Sequence, residues 1–169
     1  ERLAILRKVL PAGGESARPV DLFEKAQAET FVLPIVRPFD RWWLVGCFNG
    51  AADPVTRKLE FGRLGLDADR TFLAYEFWSS ELLGEARGGI DVTLAPTSCK
   101  LLAIHERQGV PQIVGTDRHF TQGGIELAEV RWDAGTNTLT GTALGKPGMT
   151  WRLFAYLPPG CTWKQEEHS

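Results

Sequence analysis

Apolar and polar positions along this chain fall into short runs, and the densest group lies between Trp42 and Trp78, RWWLVGCFNGAADPVTRKLEFGRLGLDADRTFLAYEFW. From Trp42 to Phe48 nearly every residue is apolar, the pattern of a strand covered on both faces. In Val55 to Phe61, by contrast, Val55, Leu59 and Phe61 share one parity while Thr56, Lys58 and Glu60 share the other. That alternation predicts a half-buried strand with one wet face. Thr71 to Trp78 is dense in aromatic residues and too short for a good amphipathic helix. Three consecutive strands with turns between them predict an antiparallel meander, and a meander needs a second layer to bury its apolar face.

The same pattern organises the rest of the chain. Residues 1–10, ERLAILRKVL, place Leu3, Leu6 and Leu10 at helical spacing with Ile5 and Val9 four apart, and Pro11, Gly13 and Gly14 end the run. So short a helix is marginal alone and needs something to lean on. Residues 1–30 therefore read as a connector, with an island at Pro19–Phe23 that docks on the main body. Further strands are expected at 31–36, 90–94, 99–105, 112–115, 125–132, 138–144 and 149–157. Pro34 demotes the first to an edge or a bulge. A phase change between Leu127 and Ala128 predicts a bulge in 125–132, and Asp133–Asn137 is a hairpin signal. In the last strand Trp151, Leu153, Ala155 and Leu157 share a face. The expectation is an all-β fold, a two-layer antiparallel β-sandwich over 31–163 with a short N-terminal helix, followed by a loose tail at 164–169.

Composition narrows the function classes. At 169 residues the chain suits one domain with a proper core. A net charge of -2 gives no electrostatic reason to expect nucleic acid or a membrane surface as partner. No apolar run approaches the roughly 20 residues that span a bilayer, and no signal-peptide pattern opens the sequence, so a soluble chain of undetermined compartment is expected. The chain starts at Glu1 and its one methionine is Met149, which suggests a processed chain or a piece of something larger. Three cysteines, Cys47, Cys99 and Cys161, are too few for a disulfide framework. Cys47 and Cys99 sit in apolar strand patterns and read as small buried hydrophobes. No metal spacing, nucleophile elbow, P-loop or dinucleotide fingerprint occurs, so no metal or cofactor is expected.

Two sets of residues carry candidate chemistry. Asp117, Arg118 and His119 stand together beside a glycine-rich turn, GTDRHFTQGG. They could grip sugar hydroxyls; the plainer reading pairs Asp117 with Arg118 and settles His119 into the neighbouring structure. Paired carboxylates could form among Asp117, Glu126 and Glu129, although nothing in the spacing sets the roughly 5 Å separation that retaining glycosidases use. His105 ends a strand without an evident companion and reads as a core-edge histidine. The second set is the tryptophans, six in all. Trp78 and Trp132 fall at strand ends beside polar residues, which suits either a stacking platform for a sugar ring or a plug for the sandwich ends. Trp42, Trp43 and Trp151 lie within apolar strands and read as core or interface residues.

RWWLVGCFNGAADPVTRKLEFGRLGL followed by TFLAYEFWS resembles the C-terminal β-sandwich domain of α-galactosidase (melibiase)-type glycoside hydrolases. Phe48-Asn49, Leu64-Gly65-Leu66 and Tyr75-Glu76-Phe77-Trp78 hold the places of the family's strand-end and turn motifs. VLPAGGESARPVDLFE looks like the passage out of a catalytic barrel, and TDRHFTQGGIEL like the later part of the same sandwich. The resemblance implies that the two catalytic aspartates lie in a preceding (β/α)₈ barrel of about 250 residues, so none of this chain's residues is catalytic. It implies that the barrel is the principal partner, with Trp42 and Trp43 at the contact. Carbohydrate is a further candidate ligand, and a second copy could cover apolar surface left open without the barrel. Two rivals remain: an independent carbohydrate-binding module built on Trp78 and Trp132, and a small free-standing enzyme using Asp117 and His119.

Overall fold

A computed structural model describes residues 2–11, 13–146 and 148–164, so the expected tail beyond Lys164 lies outside the described residues. The chain is all-β and antiparallel, with one short N-terminal helix, α1 (Arg2–Val9). The main sheet has six strands in the order β1 (Arg18–Pro19), β2 (Thr30–Val36), β3 (Arg41–Asn49), β8 (Ser98–Glu106), β5 (Thr71–Glu76) and β6 (Glu81–Arg87). A second layer is made by β4 (Val55–Glu60) paired with β7 (Gly89–Leu94), and by the one-turn helix α2 (Phe61–Leu64). β9 (Gln112–Thr116) pairs with β12 (Leu153–Tyr156), and β10 (Leu127–Asp133) with β11 (Thr138–Ala143). Among the described residues no helix is long and apolar enough to cross a membrane.

The central stretch does not form a meander. β3 lies between β2 and β8, β5 lies between β8 and β6, and β4 leaves the sheet to pair with β7 in the opposite layer. Matched amphipathicity is the reason. β4 and β7 each have one wet face, as Lys58 and Asp91 in register illustrate. β3, β5 and β8 each carry apolar side chains on both faces and therefore occupy the middle of the large sheet. Three elements escaped the hydrophobic pattern: the two-residue edge strand β1, polar β6 at the other edge, and α2, where Phe61 opens a helical turn instead of ending β4.

β3 buries side chains on both faces within this chain, although Phe48 near its end stays exposed. Val45 and Cys47 point into the main core with Phe72, Ala74, Leu102 and Ile104, beneath Leu59, Phe61, Leu64 and Val92 of the second layer. Trp42 and Leu44 point the other way with Ile35 and Ala103, under Phe120. On that second face Leu73 and Tyr75 meet Val114, Phe154 and Tyr156. Burying a side chain the size of Phe72 contributes about 1.5–3 kcal/mol, and these clusters hold most of the large ones.

The turns explain the family-like motifs physically. Asn49 is buried and donates from Nδ2 to the carbonyls of Asp53 and Ala95 while accepting from the Ala51 N–H, so one amide ties the β3–β4 turn to the β7–β8 turn. Gly65 closes α2 at φ 85°, a left-handed conformation in which glycine meets no Cβ penalty. The buried Glu76 carboxylate accepts from the Ser79 N–H and hydroxyl and from the Leu101 N–H, which fixes the start of the β5–β6 turn.

The hairpin and the bulge are where the pattern put them. Asp133 Oδ1 accepts from Gly135 and Thr136 N–H at the β10–β11 turn, and the register shifts between Leu127 and Glu129. The last strand is shorter than expected and has the opposite parity. Phe154 and Tyr156 face inward while Leu153 and Ala155 are exposed, because the inward positions meet Tyr75. Cys47 is buried as expected, but Cys99 is exposed, and all three cysteines are free. Within the expected connector, Arg18 and Pro19 add an edge strand, Val20 packs on the core, and buried Asp21 accepts from the Glu29 and Thr30 N–H groups. Leu22 and Phe23 of the same island are exposed.

Candidate functional site

The stretch from Asp117 to Glu126 folds as an irregular loop over the second face of the main sheet, and it is tied down at nearly every residue. Its three candidate side chains do not converge. Asp117 accepts from the Arg152 N–H at 2.7 Å and from Arg152 Nε at 2.8 Å, so Arg152, not Arg118, is its partner. Burial pushes the Asp117 carboxyl up, but those Arg152 bonds outweigh it and hold the group below its ordinary range. Arg118 instead donates to the Leu144 carbonyl and lies 5.8 Å from the centre of the Trp151 ring. His119 turns inward, 2.7 Å from the Thr121 hydroxyl, and burial pushes its pKa down. Glu126 is buried, accepting from the Thr116 hydroxyl and the Ile125 N–H, whereas Glu129 is exposed. The arrangement is that of a fastened loop, in which the three side chains take separate partners.

Trp42 belongs to this chain's own interior. It is 1% exposed, stacks on His105 at 5.3 Å between ring centres, and donates from Nε1 to the Thr121 carbonyl at 3.1 Å. The Trp42 side chain has no surface left for an outside contact, whereas Phe48, further along the same face of β3, is exposed. Trp43 is half-buried, with the Arg41 guanidinium 5.0 Å from its ring centre. Trp78 is 39% exposed and meets Phe77 edge-on.

Trp132 lines a different feature, a cavity of about 70 Å³ at the His105 end of β8. Buried Trp42, His105 and Gln122 also line it, while Asp40, Gln108 and Trp132 are more exposed. Trp78 is not among the lining residues, so the two candidate stacking tryptophans do not share this site.

The polar groups of the cavity are the ones sequence reasoning missed. His105 does have a companion: its Nδ1 lies 2.8 Å from Asp40 Oδ2. Asp40 comes from the β2–β3 turn, where its Oδ1 also accepts from the Arg41 N–H and from Gln108 Nε2. A carboxylate only accepts, so the ring nitrogen that faces Asp40, Nδ1, carries a proton. Nε2 has no partner among the described residues, nor has either polar atom of the Gln122 side chain. His105 is 2% exposed and Gln122 1%. A signal for His105 existed in its polar identity within an apolar strand, but Asp40 is 65 residues away and Gln122 looks like one more loop residue. Among the described residues no group of His, Cys, Asp and Glu could hold a metal ion.

No protein-family model and no curated protein matches this chain. Solved structures that resemble it include α-galactosidase I from Mortierella vinacea, at 11% identity over 53% of this chain and 23% of that one, with a TM-score of 0.43. Another is a GH27 β-L-arabinopyranosidase from Geobacillus stearothermophilus, at 18% identity over 54% of this chain and 20% of that one, also with a TM-score of 0.43. This chain therefore spans less than a quarter of the length of either. Overlaps of this size establish neither a common topology nor a common activity.

Proposed function

We propose that this chain is the non-catalytic, C-terminal β-sandwich domain of an α-galactosidase-like glycoside hydrolase, packing on and stabilising a (β/α)₈ barrel outside this sequence. The family part of the reading is supported by the residues of Trp42–Trp78 and their turn motifs. The docking part rests on one observation: α1 carries Leu3, Ile5, Leu6 and, just beyond its end, Leu10, all between 48% and 61% exposed, and has no buried residue. An eight-residue helix is unstable in water unless a partner covers its apolar stripe. The body of this chain meets α1 at its end, through the Phe120 N–H donating to the Lys8 carbonyl and through the Lys8 ammonium 5.1 Å from the Phe77 ring centre. The rest of the stripe is free to meet the barrel.

The test is association of this chain with the separately produced barrel segment of its parent gene, together with hydrolysis of a chromogenic α-galactoside. This chain alone is expected to be inert, and the mixture active and co-eluting. The Leu3→Ser/Leu6→Ser variant should lose co-elution while its own stability stays within about 0.5 kcal/mol, since both side chains are exposed. Turnover by this chain alone, or co-elution undisturbed by the double change, would refute the reading.

A further inference from the structure

We propose that the loop over residues 117–126 is an acid-sensitive latch on α1: protonation of His119 opens the loop, and its hold on the helix goes with it. Three observations carry this. His119 Nδ1 accepts from the Thr121 N–H at 3.3 Å, and the Thr121 hydroxyl lies 2.7 Å from the same atom. A backbone N–H only donates, so Nδ1 offers a lone pair and the ring is neutral in the closed loop. The residue is 2% exposed, and Nε2 has no hydrogen-bond partner among the described residues. The next residue along is the clasp itself, since the Phe120 N–H donates to the Lys8 carbonyl at 2.8 Å.

An added proton has one place to go, because Nε2 of that tautomer already carries the other. At Nδ1 it faces the Thr121 N–H. The Thr121 hydroxyl can turn to accept from it, but the backbone donor cannot reverse and is left unmet at a buried residue. The new charge is buried as well. Burial pushes the His119 pKa down and Arg118 adds to it, while the Glu126 carboxylate and the Pro11 carbonyl oppose it. Neither of the opposing groups is hydrogen-bonded to the ring, so burial outweighs them. Other charged groups around the loop are engaged elsewhere: Asp117 with Arg152, Arg37 with the Val36 and Gly124 carbonyls, Lys8 with the Phe77 ring. His105, on Asp40, lies against the ring of Trp42.

The direction of the effect follows from linkage. In the open loop His119 returns toward its ordinary 6.5, above its value in the closed loop. Below 6.5 the open form therefore binds more protons, so closure is favoured above that pH and weakened as pH falls beneath it. Each unit of pH raises the open population by up to about tenfold, until the closed form titrates too. Opening at Thr121 also frees its carbonyl from Trp42 Nε1, and the Gln122 N–H from the His119 carbonyl. With Phe120 displaced, α1 loses a main-chain tie and has no buried residue of its own to replace it.

The experiment is hydrogen exchange followed by NMR on this chain at about pH 7.5 and about pH 5.5, on either side of the ordinary histidine value, with each rate corrected for the chemical effect of pH. It is read at the Phe120 N–H and at Trp42 Nε1–H, with the ladder amides of β3 as reference. Protection of the two reporters should fall at least about threefold at the lower pH, while that of β3 stays constant. His119→Asn should abolish the fall. An asparagine side-chain oxygen also accepts from the N–H two residues on, as in an Asx turn, and it does not titrate. Should that variant not fold, the ring resonances of His119 in the unaltered chain decide: their midpoint should lie below 6.5 and coincide with the loss of Phe120 protection. Protection that is flat or rises on acidification would overturn the proposal, the second by showing that Glu126 welcomes the charge. An equal fall in His119→Asn would overturn it by placing the proton on another group. The latch does not rest on the docking reading: it is measured on this chain alone, and either can fail while the other stands.

Discussion

Gly115 on β9 gives the sharpest test of how the second face of the sheet is packed. A Cβ built on it would lie 2.4 and 2.6 Å from two carbons of the Tyr75 ring, and 3.1 Å from a third. Carbon atoms in contact prefer about 3.5–4.0 Å, so Gly115→Ala demands that the ring or strand β9 move by about an ångström. The ring has nowhere to go: Tyr75 is fully buried, and Phe154 of β12 lies against it at 4.8 Å between centres. Gly115 and Phe154 are also register partners, which couples the strand to the same contact. Overpacking of this kind costs about 1–3 kcal/mol, and absence of slack places this site near 3 kcal/mol.

For a chain of this length that corresponds to a fall in Tm of about 6–12 °C. The assay is urea denaturation with thermal melts, comparing Gly115→Ala with Gly50→Ala, where an added Cβ meets nothing within 4 Å. Gly50→Ala should change stability by less than about 0.5 kcal/mol. Combining Gly115→Ala with Tyr75→Leu should cost less than the sum of the two single changes, because the smaller side chain makes room. A loss below about 1 kcal/mol for Gly115→Ala, or strict additivity in the double variant, would refute the packing of β9 on β5.

Two further outcomes follow from charges and thiols. Bonds from Arg57 first and Lys25 second lower the Glu29 carboxyl from its ordinary 4.5 to about 2. A pKa depressed on folding adds stability above the unfolded value and loses it as pH falls through the folded one. The advantage of the unaltered chain over Glu29→Gln in urea midpoint should accordingly shrink between pH 4.5 and 2; an advantage that stays constant over that window would contradict the pairing. Burial pushes the Cys47 thiol up to about 12, while Cys99 and Cys161 are exposed. Because the thiolate is the reactive form, an aromatic disulfide reagent at about pH 8 should label two thiols in the native chain and the third only at the rate of unfolding. A fast burst of all three would show that Cys47 is not enclosed as described.

Much of the architecture was legible in local pattern. The apolar run of β3 announced a strand with buried side chains on both faces, Phe48 at its end excepted, the Asp133–Asn137 turn announced its hairpin, and the phase change near Leu127 announced a bulge. These readings succeed because side-chain parity and turn chemistry depend only on near neighbours. Pairing does not. That β4 would leave β3 and β5 for β7, and that β8 would stand between them, depends on which faces find a matching layer after the chain has folded back. The parity of β12 was misread for the same reason, since Leu153 and Phe154 are equally apolar and only Tyr75 decides which turns inward.

The cavity is the extreme case. Asp40, His105, Gln122 and Trp132 come from a turn, a strand, a loop and a hairpin, and no spacing along the chain links them. Sequence alone determined that this chain is a β-rich body with a helix whose leucines need cover. The tertiary structure decided that Trp42 is spent inside the chain and that an imidazole and an amide are left buried and unmet. The first rests on local periodicity; the second rests on contacts between residues far apart in the chain, for which a sequence holds no local record.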